Sequence, residues 1–85
     1  MFSDSDRIIH DLCSGSFTLT RHAKERMAER RVRFEDIRHC AETVEEIKEQ
    51  GDGKFLIVGR DFDDDELKIV AAWDGDTVVI TVIGD

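Results

Sequence analysis

Apolar residues recur at helical spacing in the N-terminal half of the chain and form strand-like runs in the C-terminal half. Hydrogen-bond acceptors suited to a helix N-terminus stand before the first two helical stretches, at Ser3 or Asp4 and at Thr20. Gly15 supplies a stop for the first stretch, whereas Arg33 is a poor cap for the third. The pattern predicts helices over residues 5–13, 21–31 and 34–42, and a brief strand over residues 17–20.

The C-terminal half has turn sequences between apolar runs, as expected for a sheet. Gly51-Asp-Gly53 and Asp74-Gly-Asp76 separate apolar runs and are typical of turns between strands. The strands are predicted over residues 43–50, 54–60, 67–73 and 77–83, the first of them weakly because it is rich in Glu. Together the two halves predict a single α+β domain over residues 1–85, with two to three helices packed on one face of a small antiparallel sheet of four to five strands.

The last hairpin predicts which residues face the core. A two-residue loop, Asp74-Gly75 or Gly75-Asp76, pairs odd-numbered residues of one strand with even-numbered residues of the next. The predicted core face is Leu67, Ile69, Ala71, Trp73, Val78, Ile80 and Val82. The predicted opposite face, which is mixed in polarity, is Lys68, Val70, Ala72, Thr77, Val79, Thr81 and Ile83.

The sequence predicts no metal site and no other cofactor. Cys13 and Cys40 lie 27 positions apart without the spacing of a zinc ligand pair, so reduced thiols are expected. The acidic run at residues 61–66 resembles a calcium loop in its alternating Asp residues. Glu66 stands where that loop needs Gly, however, and Ala72 stands where it needs a bidentate Glu. A solvated turn is the prediction for this run.

Charge is unevenly distributed along the chain. The formal net charge is -8, but residues 1–40 hold eight basic against seven acidic residues, whereas residues 41–85 hold four against thirteen. A basic helical region beside an acidic remainder suits a local anion site or a surface that docks a partner. No apolar run approaches the roughly 18 residues of a membrane span, and the N-terminus lacks the features of a secretory signal. A cytoplasmic location and no membrane association are expected.

His22, Arg26 and Arg30 are the candidate functional residues. Their i, i+4, i+8 spacing forms one stripe on a helix, beside the apolar pair Ala23 and Met27. An imidazole can move protons and guanidinium groups can clamp phosphate, as metal-independent RNA cleavage requires. The same stripe can equally be a salt-bridged surface, and both interpretations remain open at this stage.

The motif His22-Ala-x-x-Arg26-Met-x-x-Arg30 and the closing Val79-Ile-Thr-Val82, in this order of elements, resemble the domain-of-unknown-function family 4258 over roughly residues 17–83. That family is similar to the RelE and BrnT toxins, compact ribonucleases that carry helices on one sheet face and RNA on the other. The resemblance implies catalytic roles for His22, Arg26 and Arg30. Arg60 and Lys68 would then be auxiliary RNA contacts.

Departures from the family pattern favour a second hypothesis. Relatives usually have Gly at the position of Arg31, Ser or Thr at the position of Arg33, and Tyr or Arg just beyond the last strand, where this chain has Ile83-Gly-Asp85 and no tyrosine anywhere. The first hypothesis is a toxin-like endoribonuclease that binds RNA. The second is a non-catalytic interaction module of the same fold, whose partner is an antitoxin-like protein or a second copy of the chain.

Overall fold

The computed structural model describes residues 3–84 and confirms the predicted α+β class. Within these residues the elements are three helices and five strands that belong to one sheet. None of these helices is long and apolar enough to cross a membrane. In chain order the elements are α1 (Asp4–Ser14), β1 (Phe17–Leu19), α2 (Arg21–Arg30), α3 (Phe34–Glu42), β2 (Glu46–Gly51), β3 (Lys54–Arg60), β4 (Glu66–Trp73) and β5 (Thr77–Gly84).

The predicted caps hold the first two helices. The Ser3 hydroxyl accepts the N–H of Asp6 at 3.3 Å, and the Asp6 carboxylate accepts the N–H of Ser3 in return. Gly15 ends α1 in the left-handed region, at φ 83°. The Thr20 hydroxyl accepts the N–H of Ala23 at 3.0 Å and thereby caps α2.

The strand order is β1-β5-β4-β3-β2, and the sheet is mixed rather than fully antiparallel. β2, β3, β4 and β5 form an antiparallel meander, as predicted. β1 instead pairs with β5 in parallel, with Phe17 beside Thr77 and Leu19 beside Val79. The prediction of a purely antiparallel sheet was wrong because apolar alternation identifies a strand without indicating the direction of a neighbour that lies far along the chain.

One face of the sheet, called the helix-bearing face below, packs against all of the described helices. α1 supplies Ile8 and Leu12 to this core, α2 supplies Ala23, and α3 supplies Ile37 and Cys40. α3 lies so close to β3 that a Cβ atom at Gly59 would overlap the carbonyl oxygen of Cys40. The buried core residues of the strands are Phe55, Ile57, Leu67, Ile69, Ala71, Val79 and Val82.

The last hairpin corrects four of the predicted positions. Trp73 pairs with Thr77, so the turn has three residues and places Thr77 and Val79 in the core. Val78 and Ile80, which were predicted to be core residues, are only partly buried. The register then shifts, with Ala71 opposite Val79 and Val70 opposite Thr81, so Ile80 is an extra residue in a β-bulge. Beyond the bulge, Val82 again lies on the core face, as predicted.

The opposite face of the sheet carries none of the helices found within residues 3–84 and is called the uncovered face below. Its centre is nevertheless apolar, and Val58 and Val70 are only 9% and 8% exposed. The surrounding lysine and arginine side chains can shield these valines with their aliphatic stems. By register, the face comprises Thr18, Glu46, Lys48, Lys54, Leu56, Val58, Arg60, Glu66, Lys68, Val70, Ala72, Val78, Thr81 and Ile83.

Candidate functional site

β1 pairs with β5 as far as Leu19, and beyond this residue α2 lies along the same edge of β5. The N–H of Thr20 donates to the carbonyl of Val79 at 3.1 Å, and the Thr20 hydroxyl donates to the carbonyl of Ile80 at 2.7 Å. At its other end, α2 approaches Leu67, which pairs with Gly84 at the end of β5. The helix therefore runs alongside β5, and its N-terminal anchor coincides with the β-bulge.

The predicted stripe is present on α2. His22 and Arg30 are exposed, whereas the side chain of Arg26 is 34% exposed. One Nη of Arg26 lies 3.4 Å from a carboxylate oxygen of Glu29. The Nε of Arg26 is buried and has no acceptor among the described residues. A buried donor without an acceptor reduces the free energy of unfolding by about 1–3 kcal/mol. The Nε–H of Arg26 can therefore still donate a hydrogen bond to an oxygen of an anion or of water.

Arg30 belongs to a cleft of about 350 Å³ that sequence reasoning did not find. Arg30 and the adjacent Arg31 and Val32 form one wall, and the β3–β4 turn forms the other. The carboxylates of this turn, at residues 61–66, are far from Arg30 along the chain, so no local pattern joins them. The acidic residues that line the cleft with Arg30 are Asp36 of α3 and Asp61, Asp63, Asp65 and Glu66. The C-terminal end of the stripe thus faces carboxylates of the chain itself.

Asp36 connects the α2–α3 turn to that acidic turn. Its Oδ2 accepts the N–H of Arg33 at 2.8 Å, and its Oδ1 accepts the N–H of Phe62 at 3.1 Å. Burial raises the pKa of the Asp36 carboxyl, but these N–H groups and the Arg33 guanidinium outweigh it, so the pKa lies below the ordinary 3.8. Arg33 offers no side-chain acceptor for the N-terminus of α3, and Asp36 at the third position of the helix supplies the cap instead.

The other two predicted RNA contacts, Arg60 and Lys68, lie on the uncovered face. Arg60 Nε is 3.6 Å from a carboxylate oxygen of Glu45, and a second guanidinium nitrogen of Arg60 donates to the Asp64 carbonyl at 3.2 Å. Lys68 Nζ is 3.7 Å from a carboxylate oxygen of Glu66. The five predicted residues therefore form two groups, one along α2 and one on the sheet, and several already have acidic partners.

The uncovered face differs in charge from the molecule as a whole. It carries four basic residues, Lys48, Lys54, Arg60 and Lys68, against the two acidic residues Glu46 and Glu66, in a chain whose net charge is -8. No described residue of this face is aromatic. It is thus an apolar surface with a basic margin.

A second cleft, of about 240 Å³, lies between α1 and the end of β4. Arg7, His10, Asp11 and Trp73 line it, and the Arg7 guanidinium lies 5.0 Å from the centre of the Trp73 ring. The buried Thr77 hydroxyl donates to a carboxylate oxygen of Asp11 at 2.6 Å. These contacts join α1 to the sheet.

The cysteines are not activated nucleophiles. Burial raises the pKa of the Cys40 thiol to about 12, and its Sγ lies 3.3 Å from the Leu67 carbonyl oxygen. Partial burial, followed by the charge of Glu42, raises the pKa of the Cys13 thiol. Both thiols are protonated at neutral pH, whereas reactive cysteines are thiolates.

Comparison with known proteins gives one family. The family model described as a domain of unknown function (DUF4258) matches residues 19–83. The match contains the stripe and β2, β3 and β4, together with all but the last residue of β5, and leaves out α1 and most of β1. Neither the curated proteins nor the solved structures include a significant match.

Proposed function

The chain belongs to the DUF4258 family, and we propose that it is a non-catalytic protein-interaction module of RelE/BrnT-like architecture whose partner docks on the uncovered face. The observation that carries this proposal is the composition of the central strands. β3 contains the uninterrupted apolar run Phe55–Val58, and β4 and β5 also carry apolar residues on both faces. Antiparallel sheets with one solvated face usually alternate cleanly, whereas two-sided apolar strands are typical of sheets covered on both sides.

The charge pattern supports binding of protein rather than RNA. Glu29 lies beside Arg26, Glu45 beside Arg60 and Glu66 beside Lys68, and Arg30 lines a cleft rich in carboxylates. RNA affinity comes mainly from cations that neutralise phosphates and from aromatic rings that stack on bases. The described residues of the uncovered face include no aromatic side chain, and three of its four cations, Lys48, Arg60 and Lys68, already have acidic neighbours.

The test compares two isoleucines of similar exposure. Ile83 is 39% exposed on the uncovered face, and Ile47 is 37% exposed at the edge strand with its side chain on the helix-bearing side. A partner isolated from the cells that produce the protein should form a stoichiometric complex when both proteins are purified. Ile83→Glu should weaken that complex by about tenfold or more, because it buries a charge at the interface, whereas Ile47→Glu should leave it intact. Failure to reconstitute a complex, or equal losses in the two variants, would contradict the proposal.

A second candidate function is metal-independent RNA cleavage, with His22 in proton transfer and Arg26 and Arg30 on phosphate. Two observations favour it: the Nε of Arg26 has no acceptor among the described residues, and His22, four residues earlier on α2, is exposed. In this case the purified protein should cut single-stranded RNA in EDTA. His22→Ala should slow cutting by about 10²- to 10⁴-fold. The melting temperature should barely change because His22 is exposed.

His10→Ala removes another exposed histidine, on α1, and is the matched control for that experiment. It should cut like the unmodified protein. Absence of cleavage, or equal cleavage by His22→Ala, would exclude the catalytic role.

A further inference from the structure

We infer that the segment that docks on the uncovered face is an amphipathic helix with acidic residues on both sides of its apolar stripe. This inference rests on the proposed function and specifies the chemistry of the partner. Three features of the described residues support it: the hydrogen bonding of the sheet, the layout of the apolar centre and the position of the basic residues.

Hydrogen bonding favours a helix over an extended segment. Within the sheet, the N–H and C=O groups of β3, β4 and β5 are directed at neighbouring strands and not out of the plane. A segment that lies on a face therefore finds no backbone partners there, in contrast to one that adds to an edge. A docked helix satisfies its own backbone and still presents an apolar stripe to the sheet.

The apolar centre has the dimensions of one helix. Leu56, Val70 and Thr81 form a row across β3, β4 and β5, with Val58 and Ala72 beside that row. Neighbouring strands lie about 4.8 Å apart, so the row is about 10 Å long between the outer strand axes, which is about two turns of an α-helix. A helix that crosses the strands along this row would cover the apolar centre.

The basic residues lie on both sides of the same row. Lys54 lies on one side, and Lys68 and Arg60 lie on the other, together with Glu46 and Glu66. Lys54 and Arg60 are six residues apart on β3, or about 20 Å along the strand. Around this row the uncovered face carries four basic residues against two acidic ones, so a helix with acidic residues on both sides of its apolar stripe is complementary in charge. A second copy of the chain is less suitable as the occupant because each copy carries a net charge of -8.

The experiment uses two designed helical peptides that share a leucine stripe, one with Glu and one with Lys at the flanking positions. Binding is followed by the anisotropy of a labelled peptide and by amide chemical shifts of the full chain. The Glu peptide should bind about tenfold more tightly than the Lys peptide at low salt and shift the amides of Leu56, Val70 and Ala72. Added salt should weaken it.

Charge reversal provides the decisive comparison. Lys54→Glu with Lys68→Glu should invert the preference, so that the Lys peptide binds more tightly. Arg21→Glu with Lys24→Glu makes the same change in net charge at exposed positions of α2 and is the matched control, which should keep the original preference. Circular dichroism checks that both double variants fold.

Three results would overturn the inference: stronger binding of the Lys peptide to the unmodified chain, shifts confined to other surfaces, or an RNA oligonucleotide that displaces the Glu peptide from the face. Self-association in gel filtration that Ile83→Glu abolishes would instead identify a second copy as the occupant and would also overturn it. The proposed function is judged separately. If Ile83→Glu breaks the complex with the natural partner but the Glu peptide does not bind, only the inference about the helix fails.

Discussion

The two faces of the sheet carry similar apolar residues, but only one of them is covered by the described helices. On the helix-bearing face, Ile57 and Ile69 are fully buried beneath helices. On the uncovered face, Val58 and Val70 are immediate chain neighbours of those residues, and they are nearly buried without a second layer. Packing between elements accounts for the burial on the first face, whereas on the second the aliphatic stems of neighbouring lysine and arginine side chains can shield the valines. Flexible side chains of this kind can move aside at a lower cost than a packed helix.

The largest expected effect comes from substituting two consecutive residues that lie on opposite faces of the sheet. Ile69→Ala should reduce the free energy of unfolding by about 3–4 kcal/mol, because it leaves a cavity that rigid neighbours cannot fill. Val70→Ala should cost about 1 kcal/mol, because the side chains around it can rearrange. Urea denaturation of both variants measures the difference. Equal losses would mean that the uncovered face is packed as tightly as the core.

Gly59→Ala tests how closely α3 approaches the helix-bearing face. The new Cβ atom would overlap the Cys40 carbonyl oxygen, so α3 must move away from β3, at a cost of about 2–3 kcal/mol. Val58→Ala, one residue away on the other face, is the control and should cost less. A Gly59→Ala variant as stable as the unmodified protein in thermal denaturation would show that the helix layer adapts easily.

Acid should weaken the helix-bearing side through Asp36. Its pKa in the folded chain is below the ordinary 3.8, so its stabilising contribution is complete above that value and is lost as the pH falls through the folded pKa. Asp36→Asn should cost about 1 kcal/mol at pH 7, because an amide is a weaker acceptor for two N–H groups than a carboxylate. The difference from the unmodified protein should shrink below about pH 4. A constant difference from pH 7 to pH 2 would contradict this assignment.

The smallest expected effect concerns Arg26 on α2. Arg26→Met keeps most of the aliphatic packing and removes the buried donor that has no acceptor among the described residues. The variant loses an exposed ion pair with Glu29 but no longer buries an unsatisfied donor. These two effects should nearly cancel, so the free energy of unfolding should change by no more than about 0.5 kcal/mol. A loss above about 2 kcal/mol in urea denaturation would mean that the Nε is satisfied by a tightly held water molecule.

The elements of the fold could be predicted from local signals, whereas their relationships could not. Thr20 and Gly15 marked helix boundaries that the structure confirms, and the glycine-containing turns separated the strands correctly. The face predicted for Val79 was wrong because the turn has three residues instead of two, which reverses the faces of the residues that follow it. The bulge at Ile80 reverses them again, so only the residues near the turn are affected. Such a pair of compensating irregularities leaves no trace in apolar alternation.

The candidate site shows the same division. The stripe of His22, Arg26 and Arg30 followed from helical spacing, which is a local property. The acidic wall opposite Arg30 and the separation of Arg60 and Lys68 from α2 depend on which strands become neighbours. Contacts between residues that lie 30 or more positions apart need the tertiary arrangement, which a single sequence does not supply.

The anchor at Thr20 also has a consequence for the order of folding during synthesis. Its N–H and hydroxyl both depend on carbonyl groups at residues 79 and 80. β1 and the start of α2 therefore have no template until almost sixty further residues have left the ribosome. Closing so long a loop is entropically costly, and contacts at large sequence separation slow folding. β1 must consequently stay unpaired until β5 has been made.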